Sequence, residues 1–319
     1  MKKMLFHIPA ALCLAIVFAL AACEQPVTGD VDDTKGEEQL SEGDINVKFN
    51  VCNLEMMPFD DAVYAARRVT DIRKACTRIE LAVFKGDRRV AIVRQDKGDK
   101  VFGQVSLSLD EGEYTVVVIA HNGEGAATLT SPNEIKFKDN KVTDTFYYCG
   151  DITVDSDSSY DLTLKRAVAM VRFVAEDKVP AGVSSMRFYY TGGSSTFDAV
   201  NGCGCVNSRQ TEIRDVPTAA HTASSHYDIY TFPHSDDRPL NITVTALNAS
   251  GGIVDERKFE DVKVERNQIT RYSGIFFGES PGAGRCISIT VDNEWTQVDY
   301  SYLVFMSVCL TIGGPSDRL

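Results

Sequence analysis

The feature that most constrains the fold of this chain is an alternation of apolar and polar residues with a period of two. Residues 45–51, 105–109 and 242–246 each carry an apolar residue at every second position, with Asn, Lys, Ser or Thr between them. Because successive side chains of a strand point to opposite faces of a sheet, this alternation predicts half-buried strands. A helix would scatter the same apolar residues around its whole surface.

Turn-forming residues separate these segments throughout the chain. Lys85-Gly86-Asp87-Arg88 lies between apolar runs at 79–84 and 89–93, and Asp110-Glu111-Gly112 precedes another run at 114–120. Both arrangements are typical of hairpins. Many short strands joined by turns indicate an all-β sandwich, and the second half of the chain repeats the theme.

One segment breaks the pattern and predicts a helix over residues 59–76. Its apolar residues recur near helical spacing, and Asp60 stands where an N-cap would lie. The residues in question are Val63, Ala66, Val69, Ile72 and Cys76.

The first 22 residues predict a secretory signal peptide. Lys2 and Lys3 precede an almost wholly apolar run over residues 5–22, which ends in Leu20-Ala21-Ala22-Cys23. A charged start, an apolar middle and small residues at the cut site are what signal peptidases read. A transmembrane helix is the alternative, but it needs about 20 apolar residues and no terminal cysteine. Leu-Ala-Ala-Cys resembles the bacterial lipobox, so we expect Cys23 to carry fatty acyl chains such as palmitate and to begin the mature protein.

The segment after Cys23 predicts a flexible, acidic tether over residues 23–44. It has eight acidic residues against Lys35 alone and almost nothing apolar, so it cannot bury enough surface to order itself. Flexible-linker statistics give it a reach on the order of 25 Å. Acidic residues soon after the lipidated cysteine also resemble export signals of Bacteroidetes surface lipoproteins, which implies exposure on the outer membrane.

The acidic balance of the whole chain limits its partners. The sequence has 45 Asp and Glu residues against 33 Lys and Arg residues, and removal of Lys2 and Lys3 with the signal makes the mature chain more acidic still. Binding to nucleic acid or to anionic lipid needs clustered basic residues, so we expect neither. The acyl chains on Cys23 are the predicted contact with the outer membrane.

The cysteines predict no dense disulfide framework. Seven remain after the signal is cut and Cys23 is lipidated: Cys52, Cys76, Cys149, Cys203, Cys205, Cys286 and Cys309. An odd number leaves at least one thiol unpaired within the molecule, and both disulfides and buried free thiols remain open. Cys203-Gly204-Cys205 has no second ligand pair at zinc-site spacing, so we predict no metal.

The mature length suggests about two domains, and an acidic stretch near the middle of the chain marks the boundary. Residues 151–161 are polar, so we predict an N-terminal β-sandwich over residues 45–155 and a C-terminal one over residues 156–319. Asp155, Asp157 and Asp161 could be interpreted as a calcium loop, but the glycine and distal glutamate of an EF-hand are missing. A solvated linker is the simpler interpretation.

Several segments in order resemble one family. They are residues 109–122, 162–173, 266–270, 273–276 and 287–292, followed by Trp295. Together with the lipobox they look like the fimbrial anchor lipoproteins of Bacteroidetes, the FimB-like family of type V pili. The resemblance implies two tandem transthyretin-like β-sandwiches, a lipid at the N-terminus, and a role in rooting a fimbrial shaft in the outer membrane. It also implies assembly with shaft subunits by strand exchange, in which main-chain hydrogen bonds give affinity.

The chain offers little for an enzyme, and we predict none. The mature part has four histidines, none in an HExxH pattern, and Gly192-Gly193-Ser194-Ser195 reads as a loop rather than a nucleophile elbow. The histidines are His121, His221, His226 and His234. Residues 226–234, which include Tyr227, Tyr230 and Phe232, could line a ligand surface, but a core strand with a polar end explains them as well. The alternative function is therefore a surface adhesin or tip subunit that binds a glycan or a host protein.

The C-terminal tail predicts one more strand over residues 302–312. Its even-numbered positions from Tyr300 to Ile312 are all apolar. Eleven residues are about half a membrane span but a full strand. It could close the second sandwich, or it could pair with the next pilus subunit and make this chain a strand donor.

Overall fold

The computed structural model describes residues 43–56, 67–69, 72–277 and 287–292. Three predicted features lie outside these ranges: the signal peptide, the lipidation site Cys23 with its tether, and the tail strand 302–312. Within them, strands carry almost all of the regular structure, and the helices are three short 3-10 turns at Ile72–Lys74, Lys138–Asn140 and Thr218–His221. The predicted all-β class is confirmed.

The strands are, in chain order, β1 (Ile45–Met56), β2 (Arg67–Val69), β3 (Arg78–Lys85), β4 (Arg88–Asp96), β5 (Gln104–Leu109), β6 (Gly112–His121), β7 (Thr128–Ser131), β8 (Glu134–Lys136), β9 (Thr145–Val154), β10 (Ser158–Arg166), β11 (Ala169–Ala175), β12 (Ser185–Thr191), β13 (Thr196–Asp198), β14 (Cys203–Gly204), β15 (Arg209–Asp215), β16 (Ser225–Thr231), β17 (Leu240–Leu247), β18 (Ile253–Val262), β19 (Ile269–Gly274) and β20 (Ile287–Asp292).

The first sandwich is an eight-stranded sheet folded over on itself. Its strand order is β2-β1-β10-β9-β6-β3-β4. Strand β5 pairs with the first half of β1, on the same side as β2 and opposite β10. Strands β10 and β9 pair only at Lys165 and Arg166, so the sheet turns a corner there. The alternation predicted for residues 45–51 is present in β1, where Val47 and Phe49 are fully buried and meet apolar residues of β3, β6 and β9 across the core.

The second sandwich consists of two four-stranded sheets. One has the order β16-β11-β19-β20 and the other β15-β12-β17-β18. Aromatic rings fill the space between them, with ring centroids 5.0 Å apart for Phe173 and Phe259 and 4.8 Å apart for Phe259 and Tyr272. The alternate residues of β12 and β17 that face this space are buried with the rings.

A fourth sheet, made of four short strands, joins the two halves of the chain. Its order is β14-β13-β8-β7, so two of its strands come from the first half and two from the second. It lies over a separate apolar cluster that includes Val117 and Ile119, whose neighbours Val116 and Val118 face the core of the first sandwich. Strand β6 therefore packs on both faces, and Phe197 and Phe232 of the second half are fully buried against this cluster.

One sequence prediction needs correction. The helix predicted over residues 59–76 is wrong at its C-terminal end, because Arg67–Val69 is a strand whose Val69 pairs with Leu54 of β1, and a 3-10 turn follows. Pairing with an available sheet edge overrides a weak helical spacing. Residues 59–66 and 70–71 of that prediction lie outside the described residues.

The first sheet also extends further along the chain than the boundary predicted at residue 155. Strand β10 pairs in parallel with β1 over residues 158–165, so the hydrogen bonding of the first sheet ends at Arg166. The polar residues 155–157 form a short connection, and the Asp157 carboxylate accepts a hydrogen bond from the backbone N–H of Asn46 at 2.8 Å. In the part of the chain that the structure describes, no helix has the length and apolar character to cross a membrane.

Candidate functional site

Two arginines fasten the first sandwich to the second. The Arg166 guanidinium is 2 % exposed and donates to both carboxylate oxygens of Asp144, at 2.8 and 3.0 Å, and to the side-chain oxygen of Asn267 at 3.1 Å. Arg266 of the second half donates to the Tyr147 hydroxyl at 2.6 Å. The bidentate pair with Asp144 lies within the first half and holds the Arg166 guanidinium in one orientation. Its bond to Asn267, together with the bond from Arg266 to Tyr147, fixes one half of the chain against the other.

The free edges of the sheets differ in how well they resist pairing with another chain. Charged side chains on an edge strand discourage such pairing. Strand β18, at one edge of its sheet, carries Asp255, Glu256, Arg257, Lys258, Glu260 and Asp261, and β15 at the other edge carries Arg209, Glu212, Arg214 and Asp215. Strand β16, at the edge of the facing sheet, has only His226 and Asp228, and Asp228 accepts both hydrogen bonds of a bidentate pair with Arg172.

The end of β16 is already covered. The Tyr190 hydroxyl donates to the Tyr230 carbonyl at 3.0 Å, and the Phe232 N–H donates to the Ser194 carbonyl at 3.2 Å. Residues 225–229 are therefore a stretch of edge with fewer charges than β15 or β18, and β20 at the opposite edge of the same sheet has one charged residue, Asp292. An extended peptide could add to it through main-chain hydrogen bonds.

The cavity found between the sheets of the second sandwich, among the described residues, is small. A cavity lined by Phe173, Tyr227, Phe259, Tyr272 and Phe276 has a volume of about 20 Å³. That is enough for about one water molecule, whereas small-molecule sites occupy several hundred Å³. Tyr227 and Phe232 are buried in the sandwich and in the inter-half cluster, so the core-strand interpretation of residues 226–234 holds for them.

Strands β12, β15 and β18 carry four of the large apolar residues that are exposed in the described part of the chain. Tyr189 and Ile213 point outward from neighbouring strands, at 39 % and 58 % exposure, and Ile253 and Val254 are exposed at the start of β18. The Arg187 guanidinium donates to the Thr245 hydroxyl at 3.3 Å between them. Tyr189 is the aromatic ring exposed among these residues.

The histidines and serines noted in the sequence make separate structural contacts. His121 and Glu80 are a fully buried pair at 3.2 Å, and the other ring nitrogen of His121 accepts the Gly123 N–H at 2.9 Å, which holds the loop after β6. His221 contacts the Val179 carbonyl at 2.8 Å. The Ser194 hydroxyl donates to the Thr196 carbonyl at 2.6 Å. These contacts support loops and show no arrangement for nucleophilic catalysis in the described residues.

The thiols of Cys76, Cys149, Cys203 and Cys205 are free. Among the described residues, no group of three or more His, Cys, Asp or Glu side chains is arranged to hold a metal ion. Burial, reinforced by Glu80 and Asp144, raises the pKa of the Cys76 thiol to about 12. Burial likewise raises the pKa of Cys149 to about 11 and that of the Tyr272 hydroxyl to about 12.

These pKa shifts predict that the protein loses stability in alkali. In the unfolded chain, thiols ionise near about 8.5 and tyrosines near about 10. Above those values the unfolded state binds fewer protons than the folded state, so the free energy of unfolding falls as pH rises, up to the folded pKa values of about 11 to 12. We expect the urea midpoint to be lower at pH 10.5 than at pH 8. A Cys76→Ala variant should show a shallower fall, and an equal fall would contradict the role of that thiol.

Sequence reasoning missed the junction between the halves and the contrast among the edges. Arg166 lies at the end of β10, next to the apolar Ala167 and Val168. A charged residue beside buried apolar ones was the sequence signal for a buried ion pair at this position. Its partners Asp144 and Asn267 lie 22 and 101 residues away, and no local pattern links them. Cys23, the one site residue predicted from a motif, remains a prediction.

Comparison with known proteins gives one family and several similar structures. The model of the family described as "Fimbrillin-A associated anchor proteins Mfa1 and Mfa2" matches residues 43–301. The fimbrial anchor protein Mfa2 from Porphyromonas gingivalis is similar at 11 % identity and a TM-score of 0.41, over 80 % of this chain and 99 % of that one. A fimbrial assembly protein from Parabacteroides distasonis is similar at 13 % identity and a TM-score of 0.41, over 81 % and 97 % of the two chains. Comparison with curated protein sequences finds no match.

Proposed function

Since this chain belongs to the family of fimbrillin-A associated anchor proteins Mfa1 and Mfa2, we propose that it anchors a fimbrial shaft to the outer membrane through lipid on Cys23. The observation that carries the proposal is the family match over residues 43–301, which spans both sandwiches. The segment before residue 43 has the lipobox and the acidic tether of a surface lipoprotein. Acyl chains contribute about 0.8 kcal/mol for each buried methylene group, so two or three of them hold a protein on a bilayer.

The contact with the shaft is proposed to be strand addition at residues 225–229 of β16. This edge carries fewer charges than β15 or β18, and its sheet is already fixed by the aromatic core behind it. Added strands gain affinity from main-chain hydrogen bonds and specificity from side chains in alternate positions. The partner is a shaft subunit that offers an extended segment.

Deletion of the gene tests the function. We expect cells that lack the protein to shed fimbriae into the medium or to carry abnormally long ones, because nothing roots or limits the shaft. Electron microscopy of the cells and immunoblots of the medium measure both effects, and complementation with the intact gene is the control. Cells that keep normal, attached fimbriae would contradict the anchor function.

The predicted tail strand gives a further expectation. Removing residues 302–319 should destabilise the second sandwich, because most strands pair within their own domain. Thermal unfolding followed by circular dichroism measures the loss. A truncated protein that keeps its melting temperature and membrane attachment but no longer retains the shaft would instead identify the tail as a strand donated to the next subunit.

The second candidate is an adhesin or tip subunit, and the outer face with Tyr189 and Ile213 is the observation that favours it. An exposed ring on a flat sheet can stack on a sugar or on an apolar side chain. Tyr189→Ala should then abolish binding to the host ligand while fimbriae stay attached. Co-purification with a shaft protein that survives this substitution would favour the anchor.

A further inference from the structure

The chain enters and leaves the first sandwich at opposite ends. Strand β1 begins at Ile45, and its partner β10 runs in the same direction, with Val47 beside Ser158 and Glu55 beside Lys165. After Arg166 the chain crosses two residues and starts β11 of the second sandwich at Ala169. The start of β1 and the end of β10 are therefore separated by the full length of the paired strands.

This arrangement determines the direction in which a pulling force loads the hydrogen bonds between β1 and β10. Inter-strand hydrogen bonds lie across the strands, so pulling β1 and β10 from opposite ends loads the bonds along the pair together, in shear. If β10 were antiparallel to β1, its end would lie beside the start of β1, and the same force would open the bonds one after another. Forced unfolding is controlled by the unfolding barrier, which rises when several bonds must break at once.

Side chains strengthen the same pair. The Asn50 amide donates to the Asp161 carboxylate at 2.9 Å and to the Ser159 hydroxyl at 3.3 Å. The rings of Phe49 and Tyr160 stack with centroids 5.7 Å apart. On its other side β1 pairs with β5 over six residues, and its inward side chains are buried in the core. To slide out, β1 must break both pairings and expose those side chains.

We propose that the parallel pair of β1 and β10 is a mechanical clamp that carries tension between the membrane and the fimbrial shaft. The inference rests on the proposed anchor function, because the tension requires lipid before β1 and a shaft bound to the second sandwich. The observation that supports the clamp is the parallel direction of β10 relative to β1, and the family match adds nothing to it.

Single-molecule force spectroscopy tests the clamp. The unlipidated mature chain is held by handles at its N- and C-termini, and unfolding of the first sandwich is recognised by the chain length released. In the comparison, the second handle is placed in the connection at residues 155–157, or in the turn at Asp110-Glu111. Both positions lie at the end where β1 starts, since Leu109 pairs with Ile45 and Asp157 contacts Asn46.

The same protein is thus pulled in two directions with the same contacts. We expect the first sandwich to unfold at a force at least about twofold higher when the termini are pulled than when the same-end handles are pulled. Equal or lower force from the termini would overturn the clamp. Failure of the anchor function would appear separately, as normal fimbriae in cells that lack the gene, and would leave this measurement unchanged.

Discussion

A Cys23→Ala protein is expected to leave the membrane. Without the thiol the lipid has no attachment point, and the acidic segment that follows is repelled by anionic headgroups rather than drawn to them. On the proposed lipid anchor, two or three acyl chains, each with many methylene groups at about 0.8 kcal/mol, supply the affinity for the bilayer, so their loss should move nearly all of the protein into the soluble fraction. Fractionation of cells after a high-salt wash measures the change.

A matched control is Cys13→Ala, which changes a cysteine inside the predicted signal peptide and should leave the protein on the membrane. If Cys23→Ala protein stays with membranes after the wash, another part of the chain holds it there, and the predicted lipid anchor is wrong. If both variants are released, export rather than lipidation has failed. Labelling with a radioactive fatty acid separates the two causes.

Arg166→Met is expected to lower the free energy of unfolding by about 3 kcal/mol, since it removes one partner of a largely buried pair and leaves the Asp144 carboxylate with little solvent. The methionine keeps much of the volume, so the loss reflects charge and hydrogen bonds more than packing. Urea denaturation measures it. Because Arg166 also contacts Asn267 of the second half, we expect the unfolding curve to broaden or split as the halves uncouple.

Two controls make this prediction specific. Adding Asp144→Asn to Arg166→Met should recover part of the loss, because it removes the orphaned charge. Arg172→Met breaks a pair of the same geometry within one sheet, where Arg172 is 14 % and Asp228 21 % exposed, and should destabilise the protein without splitting the curve. Equal broadening in both variants would contradict a special role for Arg166 at the junction.

The sequence predicts individual strands better than their arrangement. Residues 45–51, 105–109 and 242–246 are strands because a sheet has the same period of two as their pattern. The pattern does not say which strand lies next to which. Asn50 and Asp161 are hydrogen-bonded across 111 residues, and only folding in three dimensions brings them together.

Long-range contacts also explain the errors. Residues 67–69 form a strand because β1 offers an edge with which they pair. The pattern of apolar residues in the sequence does not indicate that pairing. The acidic residues 155–157 read as a domain boundary because composition marks solvent exposure, which a connection within one sheet shares with a linker. The junction at Arg166 depends on residues from three distant segments for the same reason.

The small sheet β14-β13-β8-β7 sets an order on folding as the chain emerges from its N-terminus. All strands of the first sandwich are present once Arg166 has emerged, but Leu129 of β7 and Ile135 of β8 stay uncovered until Phe197 and Phe232 follow. An apolar, unpaired edge in a half-emerged chain attracts other chains and holding chaperones. The apolar residues of β7 and β8 are therefore covered only when the second half of the chain has emerged, and we expect a premature stop after residue 166 to leave an adhesive fragment.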